Sequence, residues 1–219
     1  MTRQSDTGRL NEVAMKHPRD AFVNQASIDR QWRALHFLAP PDFTEACREF
    51  DALARLLEDN GTTIRLLPTD EGTGLDSIYT RDASLSTDTG MVLCRMGKAL
   101  RSGEPAAQGI ALQALGLDIR GAIVSPGCVE GGDLAWLDRR TLAVGHGYRT
   151  NDEGIRQLRQ LLAGSIDELI VVPLPHWRGT SDVMHLMSLI SPLDERTALT
   201  HSPLLPVPFR SLLLDRGVA

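Results

Sequence analysis

Apolar and polar residues alternate along this chain in a pattern that repeats. Phe50, Leu53, Leu56 and Leu57 stand at helical spacing among charged neighbours, which predicts an amphipathic helix over Thr44 to Asn60. Gly61 supplies its stop, Thr62 to Leu67 reads as a strand, and Pro68 breaks it. A second copy has a helix over Pro105 to Leu115, a stop at Gly116 and a strand Ala122-Ile123-Val124 before Pro126. In the third, Thr150 and Glu153 are spaced as a capping box, and Ile155, Leu158, Leu161 and Leu162 form the apolar face. Gly164 stops that helix, and Leu169-Ile170-Val171-Val172 precedes Pro173. A fourth helix is predicted over Phe209 to Arg216, with Gly217 as its stop.

Strand pairs lie between these helices. Asp133 to Leu137 would pair with Thr141 to Val144, and His185 to Ile190 with Thr197 to Thr200 around a turn at Pro192-Leu193-Asp194. The implied unit is ββαβ, repeating at roughly 50 residues, as stacked or closed repeats do. Three units read as complete and a fourth as cut short. The chain is therefore expected to be one α/β domain over residues 1–219, with 1–20 as a flexible lead-in. The competing reading is an ordinary α/β sheet whose loops are evenly spaced.

Composition narrows the function. With 219 residues, 42% of them hydrophobic, the chain can bury a sizeable core, and its formal charge of −5 argues against nucleic acid as a partner. No apolar secretory segment or membrane-length run is visible, and Cys47, Cys94 and Cys128 lack metal-type spacing. Those features suggest a cytoplasmic protein with reduced thiols that does not engage membranes.

The chemistry-bearing residues cluster in four motifs: Asp76-Ser77-Ile78-Tyr79-Thr80-Arg81-Asp82, Glu130-Gly131-Gly132-Asp133, Arg149-Thr150-Asn151 and Asp182-Val183-Met184-His185-Leu186. Asp76 and Asp82 can hold a cation, because a carboxylate accepts two parallel hydrogen bonds from a guanidinium. A local Arg81–Asp82 pair is the plainer alternative. Glu130 sits beside a glycine pair that allows close backbone approach, where it could orient a histidine and stabilise its protonated form. His185 lies in an apolar run and gains a chemical role only if Glu130 or Asp82 is near. Arg101 and Arg149 could grip a substrate carboxylate, or be solvated surface residues. His146 and the acids raise a metal site, but no two histidines have ligand spacing.

Taken in order, these motifs resemble the dimethylarginine dimethylaminohydrolase branch of the arginine deiminase and amidinotransferase superfamily, over about Phe22 to Leu205. The resemblance implies the pentein fold, an α/β propeller of five ββαβ units around a central pocket, of which about four would be present here. It implies that Asp82 binds the substrate guanidinium with Asp76 shaping the pocket, and that Glu130 hydrogen-bonds a general acid and base, His185. Arg101 and Arg149 would hold the amino-acid end of the substrate. No metal or organic cofactor is implied. Arginine deiminases carry His-Leu-Asp where this chain has Met187, which favours the dimethylarginine-hydrolysing branch.

The implied reaction is hydrolysis of a guanidino compound to citrulline through a cysteine-bound thiouronium. The family's nucleophile lies near the C-terminus, and none of the three cysteines here matches that position. Cys128 is the one local substitute, because it could share a strand face with Glu130. The alternatives are a non-catalytic guanidino-compound-binding protein and an amidinotransferase. An incomplete ring would also leave open sheet edges that invite pairing with a second copy.

Overall fold

The computed structural model describes residues 2–177, 179–180 and 184–219. Asp182 and Val183 of the fourth motif lie outside them.

The first unit contains β1 (Glu12–Met15), α1 (Pro18–Ala21), α2 (Gln25–Gln31), α3 (Phe43–Asp59) and β2 (Thr63–Leu66), with β1 and β2 parallel. The second places β3 (Ser84–Thr87), β4 (Gly90–Leu93) and β5 (Ile119–Ala122) in sheet order β3-β4-β5, with α4 (Glu104–Ala114) crossing between β4 and β5. The third repeats this with β6 (Leu134–Asp138), β7 (Thr141–His146), α5 (Asp152–Leu161) and β8 (Glu168–Pro173). In both sheets the first pair is antiparallel and the second parallel. The fourth unit has the hairpin β9 (Ile190–Pro192) and β10 (Ala198–Thr200), then α6 (Val207–Asp215).

The full ββαβ pattern is thus seen in the second and third units. The first has only its parallel pair, so the expectation of three complete units is corrected to two among the described residues.

Glycine sets the exit from the helices. Gly61, Gly116 and Gly217 have φ near +83°, +82° and +75°. The residue after each returns its N–H to a helix carbonyl, as Thr62 does to Leu57 at 3.0 Å and Leu117 to Leu112 at 3.0 Å. That geometry satisfies carbonyls the helix leaves open and turns the chain into the next strand.

The sheet of the third unit is buried on both faces. Leu134 and Trp136 of β6, with Leu142 and Val144 of β7, join a cluster containing Val92, Ile155 and Leu158. The intervening Ala135 and Ala143 join another, with Val172, Leu186, Ile190, Phe209 and Leu213. The period of two sends alternate residues to neighbouring units, so this sheet locks the second unit to the fourth.

Several expectations shift. The run Ala122 to Val124 is the end of the strand, not its body: β5 stops at Ala122, Ile123 gives its N–H to Leu93 (2.9 Å), and that of Val124 goes to the Gln157 side chain (2.8 Å). His185 to Ile190 begins as a 3₁₀ turn over Leu186–Ser188, because the Ser188 and Leu189 N–H groups fold back to His185 and Leu186. Residues 2–20, within the stretch expected as a lead-in, carry β1, which pairs with β2. Gln4 is buried and donates to the Arg139 and Ser165 carbonyls, and Asp6 accepts the Trp136 N–H at 2.6 Å.

A short 3₁₀ turn enters the first strand of each later unit: Thr80–Ala83 before β3, Gly131–Asp133 before β6, and Leu186–Ser188 before β9. Asp82 and Asp133 lie within these turns, and Glu130 and His185 immediately precede theirs, so the three strand entries deliver chemistry to one place.

Candidate active site

Gly131 and Gly132 let the three turns touch. A Cβ on Gly131 would stand 2.0 Å from the Arg81 carbonyl oxygen, which no side chain tolerates. One on Gly132 would stand 2.8 Å from His185 Cγ and 2.9 Å from both His185 Nδ1 and Asp82 Oδ1. The His185 ring therefore lies over bare backbone beside Asp82, whose Oδ1 accepts the Gly132 N–H at 2.9 Å.

Glu130 is fully buried and saturated with donors. His185 Nε2 is 2.9 Å from Oε2, Arg149 Nη1 reaches both oxygens (2.9 and 3.2 Å), and the Gly97 and Lys98 N–H groups donate to Oε1 (2.9 and 3.2 Å). Burial alone would push its carboxyl up. The His185 hydrogen bond and the charges of Arg149 and His185 outweigh that and bring it down to about 2. For His185, burial disfavours the imidazolium, but the Glu130 hydrogen bond and the Asp133 and Asp82 carboxylates raise it above the ordinary histidine value. Glu130 thus takes Nε2 and leaves the Nδ1 edge facing Gly132 and Asp82.

Asp133 supports this arrangement from behind. Its Oδ1 accepts the Leu186 N–H (3.1 Å) and its Oδ2 the Thr150 hydroxyl (2.6 Å), fixing the turn that carries His185. Burial is the main reason its carboxyl is pushed up to about 6.

Three consecutive residues of the third motif do different jobs. Arg149 bonds Glu130, and Thr150 bonds Asp133 while accepting the Glu130 N–H at 3.2 Å. Asn151 caps α5, accepting the Gly154 N–H at 2.8 Å. The expected capping box of Thr150 and Glu153 is thereby corrected, since the buried Thr150 hydroxyl is already committed to the site.

Asp76 and Asp82 are both buried and both paired. Lys98 Nζ lies 2.7 Å from Asp76 Oδ2, and Arg101 Nη1 lies 2.7 Å from Asp82 Oδ2. Arg101 is held by Glu104 through Nε (3.0 and 3.1 Å) and Nη2 (2.8 Å), and its guanidinium carbon sits 5.9 Å from the centre of the Tyr79 ring. Burial pushes the Glu104 carboxyl up, against the pull of Arg101.

The structure therefore brings Asp76, Asp82, Arg101, Glu130, Arg149 and His185 into one connected cluster. Two expectations need correction. Arg101, 4% exposed between Glu104 and Asp82, and the half-buried Arg149, whose Nη1 bonds Glu130, are not the solvated surface arginines that the sequence left open. Arg81 does not pair with Asp82; it meets Asp6 at 3.0 Å. Lys98, Glu104 and Asp133 were not singled out from the sequence. Asp133 stood inside a named motif, and Glu104 follows Arg101 at ion-pair spacing, so both left a signal.

The cysteines sit elsewhere in function. Cys94 is in the core, where burial and then the nearby carboxylates raise its thiol well above the ordinary value. Burial also pushes the Cys47 thiol up, and Cys47 lies on α3. Cys128 Sγ is 3.0 Å from Arg95 Nη1. Among the described residues none of the three hydrogen-bonds His185 or Asp82. Met187 packs against the cluster around Leu186 and Ile190.

The family model for arginine deiminase matches residues 76–207, a span that includes Asp76, Asp82, Arg101, Glu130, Arg149 and His185. The chain belongs to the arginine deiminase family. Within it, the chain is 30% identical over 164 residues to N(G),N(G)-dimethylarginine dimethylaminohydrolase of Streptomyces coelicolor, an alignment covering 74% of this chain and 60% of that protein. The chain thus spans less than two thirds of that relative's length. Dimethylarginine dimethylaminohydrolase of Pseudomonas aeruginosa, solved with citrulline, superposes with a TM-score of 0.73 at 24% identity, covering 97% of this chain and 76% of that one. The N-terminal domain of a cyanobacterial arginine dihydrolase bound to product gives a TM-score of 0.75 at 18% identity, covering 95% and 72%. This arginine deiminase family member is dimethylarginine dimethylaminohydrolase-like and has the pentein α/β propeller fold. Among its described residues no helix is long and apolar enough to cross a membrane.

Proposed function

We propose that this chain carries the guanidinium-binding and acid–base half of a dimethylargininase-type hydrolase. The observation that carries this reading is the buried cluster itself. Five buried carboxylates (Asp76, Asp82, Glu104, Glu130 and Asp133) face three fixed cations (Lys98, Arg101 and Arg149) and one imidazole. With all five carboxylates ionised, acids outnumber cations even when His185 is protonated, an excess that a cationic guanidinium would neutralise.

In this reading Asp82, beside the Nδ1 edge of His185, receives the substrate guanidinium and Asp76 borders it. A thiolate attacks the guanidinium carbon, and the carbon–nitrogen bond to the leaving amine breaks as His185 gives that amine its proton. Neutral His185 then takes a proton from water, whose oxygen attacks the thiouronium carbon. The carbon–sulfur bond breaks, giving citrulline and returning the thiolate. Glu130 holds the imidazole in place and favours its protonated state, as general acid catalysis of amine departure requires.

None of the three cysteines hydrogen-bonds His185 or Asp82 among the described residues, and Cys128 Sγ lies instead against Arg95. This favours a second reading, in which the 219 residues bind guanidino compounds without turning them over. The test is incubation with asymmetric dimethylarginine and with arginine, followed by a colorimetric citrulline assay and calorimetric binding, with Cys128→Ser alongside. Citrulline retained in Cys128→Ser excludes Cys128 as nucleophile, and its loss identifies it. Binding without citrulline selects the second reading. Absence of both overturns the guanidino assignment.

A further inference from the structure

The two acids proposed to meet a guanidinium are not compensated alike in this fold. Asp82 shares its cation: Arg101 Nη1 lies 2.7 Å from Asp82 Oδ2, but Glu104 takes Nε and Nη2 of the same guanidinium through three hydrogen bonds. Two carboxylates thus divide one positive charge. Asp76 instead has a cation of its own, with Lys98 Nζ 2.7 Å from Oδ2 and Arg101 Nε at 3.9 Å. Lys98 Nζ also donates to the Leu35 carbonyl at 2.8 Å, and its side chain is only 16% exposed. Leu35 is itself buried, in a cluster with Ile28 and with Leu75, the residue before Asp76. The ammonium is therefore held on Asp76 by a second, neutral acceptor that the core keeps in place.

From this we infer that Lys98 is a specificity-determining residue: it cancels Asp76, so the pocket offers a ligand guanidinium one uncompensated carboxylate, Asp82. The inference rests on the guanidino-compound reading above and deepens it. Its consequence follows from counting donors. An arginine guanidinium has two edges of paired N–H groups, each able to meet a carboxylate with two parallel hydrogen bonds. Asymmetric dimethylarginine has lost both N–H groups of one terminal nitrogen and keeps one such edge. A pocket with two open carboxylates favours arginine, because only arginine fills both. A pocket with one treats the two ligands nearly alike. Lys98 thus makes the site tolerant of N-methylation without touching a methyl group, by removing the acceptor that methylation would leave unpaired.

Arginine and asymmetric dimethylarginine differ only by two methyl groups, so the ratio of their affinities reads the number of open acids. Calorimetric titration of the wild-type chain is expected to show no preference for arginine beyond about threefold. In Lys98→Met both ligands gain from the lost positive charge, but arginine should gain about tenfold more, the worth of a charged hydrogen bond. Asp76→Asn added to Lys98→Met should return the ratio to its wild-type value. A merely structural lysine behaves otherwise, since its loss would weaken both ligands and leave their ratio unchanged. An unchanged ratio in Lys98→Met with wild-type circular dichroism, or a shift that survives Asp76→Asn, would overturn the inference.

The wild-type ratio is a separate arm and stands if Lys98→Met fails to fold. A preference for arginine beyond that range in the wild type would overturn the inference, because it would require a second open acid. If neither ligand binds the wild-type chain, the guanidino reading itself fails, an outcome distinct from failure of the Lys98 assignment alone.

Discussion

Glu130 Oε2 stands 2.9 Å from Nε2 of His185, with the carboxylate wholly buried and the imidazole one-fifth exposed. The contact spans 55 residues of sequence and fixes which ring nitrogen is engaged and which is offered to the pocket. It also sets the proton affinity of the histidine. Above its raised folded value His185 is neutral, so the stabilisation from its pairing is full below about pH 6.5 and lost as pH rises through the folded value. In Glu130→Gln the midpoint should fall, because the charged partner is gone. Imidazole NMR titration of both proteins reads this directly, and an unshifted midpoint would contradict the role given to Glu130.

The same substitution should weaken the fold. It leaves the charge of Arg149 without its partner, and breaking a buried pair on one side costs about 3–5 kcal/mol. Urea denaturation at neutral pH provides the comparison. In the wild type, Glu130's share of stability should persist above about pH 4.5 and disappear as pH falls toward about 2.

Asp133 runs with the opposite sign. Its carboxyl is raised to about 6, so the folded state holds a proton that the unfolded chain releases near 3.8. Stability from this group falls as pH rises between those values, by about 3 kcal/mol for a two-unit shift. Asp133→Asn keeps an oxygen for Leu186 and removes the titration. Its stability should depend less on pH across that window than the wild type's and match or exceed it at pH 8. A parallel pH dependence would refute the assignment.

Gly132→Ala should be more damaging to binding than to folding. The added methyl meets His185 and Asp82 at under 3 Å, and both can yield only by leaving their positions. Overpacking of this kind costs about 1–3 kcal/mol. Gly131→Ala, facing backbone at 2.0 Å, should cost more stability. Thermal melts with calorimetric titration of 5-guanidinopentanoate would rank the two.

The repeat was readable from its punctuation. Gly61, Gly116 and Gly217 have the positive φ that a helix stop demands, so the residue type alone marked the place. The pairing Glu130–His185 was readable only through resemblance to a family, because partners so distant in sequence leave no local pattern, and the Asp82–Gly132 contact was not readable for the same reason. The fate of Arg101 was readable only in its i,i+3 spacing to Glu104. An arginine near Lys98 and Arg95 looks like a surface residue until the fold puts Glu104 and Asp82 around it. Thr150 was misread for a related reason. Its spacing to Glu153 fits a helix cap, but its hydroxyl is claimed by Asp133, a residue 17 positions earlier.

The turns that enter β3, β6 and β9 meet at the paired cluster, joined by the Asp82–Gly132, Glu130–His185 and Asp133–Leu186 hydrogen bonds. A molecule bound there would add one more bridge across the same three segments. Amide exchange should therefore slow on ligand addition in all three segments together, because opening any one of them would first require the ligand to leave.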